Sequence, residues 1–309
     1  VPPGESRDRI ARAMGLEDAV TLDQRLAGVR ERVSERFHGI FPAREARTEH
    51  GASAERWRTY RRDGPGEASD PLALFVRRLE RIALSQRADQ RLDRFMPALL
   101  TGLDQKNLDD KARNRVFDLV LAICRRSAYL VLLFQHEKAL SRMLDLFGAS
   151  ERVADQVTRF PALLDELIDP ALGAHIPDAT ELDAAVERIL AAGHDTESVL
   201  NALNYLKLAT ELRVAVGQLQ KGVDARAAQH ALTNLACAIL RGVLLVAARE
   251  IEKRHGRFFP ANKASNGGGM AVIGYGTLGA RALSYGSDLD IVFLFEKSAG
   301  TSDGARPLT

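Results

Sequence analysis

The residues of this chain best suited to chemistry are Asp288 and Asp290, two carboxylates separated by a single leucine. They open the run 291–295, Ile-Val-Phe-Leu-Phe, whose branched and aromatic residues read as a strand. Side chains alternate along a strand, so both acids are expected on one face. Two carboxylates on one face repel unless a cation lies between them, and all-oxygen ligands suit Mg2+ or Mn2+. A second apolar run, 270–273, precedes Gly274, Gly276 and Gly279, where a missing Cβ lets backbone approach a bound group. Both runs, bounded by turn residues, are expected to be buried strands.

The same glycines spell G-x-G-x-x-G after a strand, the wording of a dinucleotide-binding turn. That fold needs a long helix after the glycines and an acid about 20 positions on, at the end of the next strand. Only residues 280–287 separate Gly279 from Asp288, short of a crossover of about 10–12 residues. The acids also fall at the start of their strand, so the dinucleotide reading is set aside. A structural reading of the bare pair makes Asp288 a turn cap and Asp290 a solvated strand residue. The wording around the pair argues against it.

Strand, glycine turn, ten residues after Gly276-Thr277, then Asp288-Leu289-Asp290 resembles the pattern of the DNA polymerase β-like nucleotidyltransferases. The fuller wording is closer still. Gly274-Tyr275-Gly276-Thr277-Leu278-Gly279-Ala280, followed by Leu283-Ser284-Tyr285-Gly286-Ser287-Asp288-Leu289-Asp290, is similar to the signature of the glutamine synthetase adenylyltransferases. That family moves AMP from ATP to a tyrosine of glutamine synthetase, and a homologous half of the same polypeptide removes it. The resemblance implies that Asp288 and Asp290 are catalytic metal ligands for Mg2+ or Mn2+. It also implies that Gly274, Gly276, Thr277, Gly279 and Ser287 cradle the phosphates of ATP, the substrate. Glutamine synthetase would be the protein partner, with a nitrogen-signalling regulatory protein as a second partner, in the cytoplasm. Gly274-Tyr275-Gly276 and Tyr285-Gly286-Ser287-Asp288 resemble the carboxyl-terminal, AMP-adding half more than the AMP-removing half. The AMP-removing half remains an alternative, as does a non-catalytic helical scaffold that binds a regulator.

Two positions depart from the family's wording. Thr277 stands where a lysine is usual, and Ala282-Leu283 where a glutamate-leucine pair is usual. Neither touches the carboxylate pair. The resemblance also implies a third carboxylate on a later strand, beyond Thr309. Within this chain only Glu296 and Asp303 follow Asp290. Glu296 lies six residues along the strand, about 20 Å away at the usual rise, and Asp303 falls in a polar tail that reads as loop. The chain by itself is therefore expected to be catalytically inactive.

The elements that must position this stretch are helical. The apolar residues of 7–41 recur at helical spacing, with Pro42 as a stop. Residues 43–68 carry many charges and four Gly or Pro residues, and read as a mobile connection that Trp57 and Tyr60 could pin in part. Ser69-Asp70-Pro71 is a helix start, with a helix continuing to Leu92 or Phe95 and ending before Pro97. Further helices are expected at about 108–124, 127–135, 138–147, 152–168, 180–192, 196–220 and 225–255. The segments around 126–130, 139–141 and 148–170 again resemble the adenylyltransferases, although Arg159, Asp165, Glu166 and Asp169 read without that resemblance as surface charges. The expected fold is mainly α, a multi-helix bundle followed by the first strands of an incomplete α/β, polymerase β-like nucleotidyltransferase domain. Its expected divisions are 1–68, a helical linker region; 69–262, the bundle; and 263–309, the start of the nucleotidyltransferase domain.

Composition excludes little but directs the reading. With 43 basic and 41 acidic residues the chain has a net charge of +2, so no nucleic-acid partner is expected. Cys124 and Cys237 sit far apart in apolar helical wording and read as small buried hydrophobes. The seven histidines, His136, His194 and His230 among them, show no metal-ligand spacing. Val1-Pro2-Pro3-Gly4-Glu5 does not read as a signal peptide, and the stretch around 128–134, read as the longest apolar one, is too short to cross a bilayer. No membrane partner is expected.

Overall fold

The computed structural model describes residues 50–309 except 65–68, 194, 261–269, 296–299, 305 and 307–309, together with residues 16, 18, 20 and 21. The chain divides into two compact units, 1–51 and 52–309. The helices expected within 7–41, His194 and Glu296 lie outside the described residues.

Ten longer α-helices run in order through the described part of the second unit, the first of them opening one residue earlier at Gly51: α1 (Gly51–Asp63), α2 (Pro71–Leu79), α3 (Gln86–Gln105), α4 (Asp110–Ile123), α5 (Ser127–Gln135), α6 (Glu137–Ala149), α7 (Glu151–Arg159), α8 (Ala179–Ala192), α9 (Thr196–Gln220) and α10 (Ala225–His255). A 3₁₀ helix, Pro161–Ile168, follows α7. After α10 come β1 (Phe258–Pro260), β2 (Met270–Gly274), the single-turn helix α11 (Gly276–Gly279), β3 (Ile291–Phe295) and β4 (Gly300–Ser302). The fold is mainly helical with small antiparallel pairings near the carboxyl end, as the sequence leads one to expect.

The caps explain many of the boundaries. Asp70 accepts the Leu72 N–H at 3.1 Å ahead of Pro71, and Ser150, Asp195 and Asp224 accept the third amide of α7, α9 and α10 in the same way. Asp178 and Glu181 form a reciprocal capping box at the start of α8. The main core joins α1 to α7, the 3₁₀ helix and one stretch of α9. At its heart Phe75 stacks on Phe117 with ring centroids 4.9 Å apart, and Trp57 lies 6.2 Å from Phe75. A second cluster holds α8, α9 and α10 together through Leu182, Val186, Leu203, Leu235 and Val246.

Several expectations are corrected. Residues 51–63 are helix α1, with Trp57 only 2% exposed and its Nε1–H donating to Asp93 Oδ1 at 2.9 Å. Burial of that single indole outweighs the Gly and charge content of the segment. The helix begun at Pro71 stops at Leu79, and a new one capped by Ser85 runs straight through Pro97. Phe95, Met96, Leu99, Leu100 and Leu103 are buried on both sides of that proline, and their packing offsets the helical hydrogen bond that its nitrogen cannot donate. Asp303 lies just past β4, outside any strand as expected, although the short strand Gly300–Ser302 ahead of it was not anticipated. Asp303 Oδ1 accepts the Arg257 N–H at 2.7 Å where β4 pairs antiparallel with β1.

Residues 161–168 continue α7 only as 3₁₀, because Pro161 cannot donate to the preceding turn. Glu166 and Asp169 are not loose surface charges. Arg213 Nη2 lies 2.7 Å from Glu166 and its Nη1 lies 3.2 Å from Asp169. Arg142 Nη1 donates to the Leu167 carbonyl at 3.0 Å. Cys124 is buried as expected, whereas Cys237 is exposed.

Helix α10 is long and apolar enough, by length and composition, to cross a membrane, which the reading of 128–134 as the longest apolar stretch did not register. Its small side chains, Ala228, Ala231, Ala238 and Gly242 among them, are buried against neighbouring helices. A Cβ on Gly242 would lie 2.9 Å from Val186 Cγ1, so the Val186 side chain of α8 packs directly on the backbone of α10.

Candidate functional site

The two central strands form an antiparallel pair in which Gly274 faces Ile291 and Met270 faces Phe295. They were expected to be buried, but they are not. Phe293 is 50% exposed and Phe295 78%, whereas Ile291, at the end nearest Asp290, is half-buried against the cluster that holds Leu278 and Leu283.

Asp288 and Asp290 lie in the extended segment just before β3 rather than inside it. Both are exposed, and among the described residues neither side chain takes part in an ion pair or hydrogen bond. The Asp290 carbonyl accepts the Tyr275 N–H at 2.8 Å, which extends the β2–β3 ladder by one rung and brings the glycine turn beside the acid. Gly276 has a φ of +54°, and a Cβ there would overlap Asp290 Oδ2. Glycine is required at this position twice over, by its backbone and by its neighbour.

The other glycines serve packing. A Cβ on Gly274 would meet the Leu278 side chain at 2.8 Å, and one on Gly279 would meet the Gly274 carbonyl oxygen at 2.6 Å. The Gly279 amide donates to the Tyr275 carbonyl at 2.9 Å, so it is spent within the turn. Thr277 is exposed beside Gly276. Ser287 accepts the Ser284 N–H on its Oγ at 3.1 Å, and the two hydroxyls are 3.0 Å apart. The structure thus brings Gly276 and Asp290 together, leaves Thr277 open, and uses Gly274, Gly279 and Ser287 to hold the shape around them.

Sequence reasoning missed the residues that seat this loop on the helices. Leu278 and Leu283 are buried in a third cluster with Val214 of α9 and Ala228, Ala231 and Leu232 of α10. Arg281 donates to Asn234 Oδ1 at 2.6 Å, and the Leu283 N–H donates to Thr233 Oγ1 at 3.4 Å. Tyr285 Oη donates to Gln218 Oε1 at 2.7 Å, and the Arg152 guanidinium lies 5.1 Å from the centre of its ring. Apolar Leu283 and Tyr285 inside a polar loop were the one available signal.

Among the described residues no group of three or more His, Cys, Asp or Glu side chains is placed to hold a metal. The pair alone fits two of the ligands of a hard divalent cation, since both carboxylates are free and solvent-facing. No nitrogen or sulfur ligand is needed for Mg2+ or Mn2+.

The chain is similar to proteins of one family. The family model of glutamate-ammonia ligase adenylyltransferase matches residues 140–309. The bifunctional glutamine synthetase adenylyltransferase/adenylyl-removing enzyme of Stenotrophomonas maltophilia (strain R551-3) is 36% identical over 317 residues, covering 98% of this chain and 33% of the relative. That of Xanthomonas campestris pv. campestris (strain ATCC 33913) is 36% identical over 325 residues, covering 100% and 34%. That of Pseudomonas syringae pv. tomato is 40% identical over 222 residues, covering 71% and 22%. The chain spans about a third of the length of the first two.

Proposed function

The chain belongs to the glutamate-ammonia ligase adenylyltransferase family, and from that premise we propose that it carries part of the site of an enzyme that moves AMP from ATP to a tyrosine of glutamine synthetase. The observation that supports this most is the free, exposed pair Asp288 and Asp290, the second seated against a glycine whose absent side chain makes room for it.

Asp288 and Asp290 are the residues that would hold Mg2+ or Mn2+ through carboxylate oxygen. When bound, the cation supplies neutralisation of charge on the α-phosphate and on the departing pyrophosphate. Gly276 and Thr277 border Asp290, and the Thr277 hydroxyl can donate to a phosphate oxygen where a lysine would have supplied charge. Ser287 keeps the approach to Asp288 in shape by closing the 284–287 turn. The attacking phenol of glutamine synthetase has an ordinary pKa near 10 and needs a base at neutral pH. The family resemblance gives that part to a third carboxylate further along the polypeptide. Asp303 does not fill it, being engaged with Arg257, so residues 1–309 alone are proposed to be inactive.

In domain terms the bundle is placed over 69–262, with α1 packed against it, and the nucleotidyltransferase domain from 263 onward. A cytoplasmic setting, where ATP and glutamine synthetase meet, follows from the same reading. The wording of 274–276 and 285–288 favours AMP addition. The printed names of the relatives include removal as well, which keeps phosphorolytic release of AMP as the second reading.

A polypeptide of the relatives' full length separates the readings. Transfer of label from α-phosphate-labelled ATP to unmodified glutamine synthetase, lost when this half is inactivated by the Asp288→Asn, Asp290→Asn pair, supports addition here. Phosphate-dependent release of AMP from modified glutamine synthetase, lost in that same variant, assigns removal instead. If both reactions survive in the variant, and a nitrogen-signalling regulatory protein binds residues 50–255, the scaffold reading replaces both.

A further inference from the structure

We infer that Tyr285 is a positioning residue through which the helical bundle fixes the place of the aspartate pair, an inference that rests on the metal-binding reading of Asp288 and Asp290. Tyr285 stands three residues before Asp288 and is the one side chain of that loop which touches both the main core cluster and the smaller cluster around Leu278 and Leu283. Its hydroxyl is tied to Gln218 of α9, and its ring faces Arg152 of α7. Arg152 has no carboxylate partner among the described residues, so the ring is what its guanidinium is placed for.

The link from this ring to the acids has little slack. The 284–287 turn is closed by Ser284 N–H to Ser287 Oγ at 3.1 Å and Ser287 N–H to the Ser284 carbonyl at 3.2 Å. Gly286, at a φ of +67°, lies so close to Arg152 that a Cβ there would be 3.1 Å from its Nη2. On the far side the Asp290 backbone is held by the Tyr275 amide, and its carboxylate fills the space that a side chain on Gly276 would take. Asp288 therefore hangs between two fixed points, one on the strand pair and one on the bundle. A cation held by two carboxylates needs them placed to within about half an ångström, and packed helices supply such rigidity better than a loop does. The phenol matters beyond its ring, because the 2.7 Å bond to Gln218 sets how deep the ring sits.

The test uses the full-length polypeptide with two readouts: Mn2+ affinity from electron paramagnetic resonance titration, and hydrogen exchange of the amides of 284–290. Tyr285→Ala is expected to speed exchange of that segment at least tenfold and to weaken Mn2+ binding at least tenfold, with exchange in α4 and α9 unchanged. Gln218→Met, which removes only the hydrogen bond, is expected to show the same direction at about threefold, and it decides the matter if Tyr285→Ala does not fold. Wild-type exchange and Mn2+ affinity in folded Tyr285→Ala or Gln218→Met overturn the proposal. The paired Asp288→Asn, Asp290→Asn variant reports on the underlying reading. Its loss of Mn2+ with unaltered loop exchange upholds that reading, and unaltered Mn2+ binding removes it, leaving loop exchange to decide the role of Tyr285.

Discussion

A side chain at Gly276 would collide with the Oδ2 atom of Asp290. Turn and acid come from opposite ends of the segment between β2 and β3, yet the Tyr275–Asp290 backbone bond sets them side by side. Replacing Gly276 by alanine imposes a left-handed alanine, at about 1–2 kcal/mol, and also displaces the carboxylate. In a polypeptide of the relatives' full length we expect AMP transfer to fall by about a hundredfold or more, since a shift near 1 Å is enough for that. Thermal unfolding should move by only a few degrees. Retained transfer in Gly276→Ala would show that Asp290 is not held where it acts.

The bundle's stability should rest on the Phe75–Phe117–Trp57 group. Phe75→Ala removes a ring that is 1% exposed and stacked, which should cost about 3–5 kcal/mol in urea unfolding. Trp57 is the chain's single tryptophan, so its fluorescence follows this core directly. A loss below about 1 kcal/mol would mean that α1 and α2 do not pack as described.

Arg213 should matter more than most surface cations. Its guanidinium joins α9 to Glu166 at the end of the 3₁₀ helix, with side-chain exposures of only 25% and 15%. Arg213→Met leaves Glu166 without its cation and should destabilise by about 1–3 kcal/mol. Arg62, paired among the described residues with neighbouring Asp63 on an open surface, should be replaceable by alanine with no measurable change in urea midpoint. Equal effects at the two sites would contradict the packing of the 3₁₀ segment on α9.

Two tyrosines should titrate late. Burial, reinforced by the Glu166 charge, pushes the Tyr205 phenol up to about 12, and burial does the same for Tyr285. A phenol whose folded pKa lies above the unfolded value near 10 stabilises the fold fully below pH 10. That contribution is lost as pH rises from 10 through 12. Rapid-mixing absorbance of phenolate should therefore show two tyrosines ionising near 12, one of them removed by Tyr205→Phe and the other by Tyr285→Phe. Complete ionisation of all tyrosines near 10 would contradict the burial of both.

Much of this was legible in the sequence, and the reasons differ by element. Helices such as α9 and α10 were legible from long stretches of apolar residues, while their caps, Asp195 and Asp224, came only with the structure. Strands β2 and β3 were bounded within a residue by glycine and aspartate, but their exposure was not readable, because an apolar run carries no record of what covers it. Pro97 misled because local chemistry stops a helix there, whereas the buried residues on both sides of it carry the helix through. The wording around Asp288 and Asp290 pointed to the site, and Gly276 could be marked from type alone. Its reason, contact with Asp290, needed the strand register. Arg152, Gln218 and Asn234 were invisible because they lie at least 47 residues from the loop they hold.

Asp288 and Asp290 are proposed to bind together the divalent cation used for AMP transfer. The most direct test of that proposal is Mn2+ binding and label transfer from α-phosphate-labelled ATP, measured on the same full-length samples of wild type, Asp288→Asn and Asp290→Asn. Each substitution should lower Mn2+ affinity and cut transfer about a thousandfold or more, with urea unfolding unchanged. Either variant binding Mn2+ and transferring label at the wild-type level would contradict it.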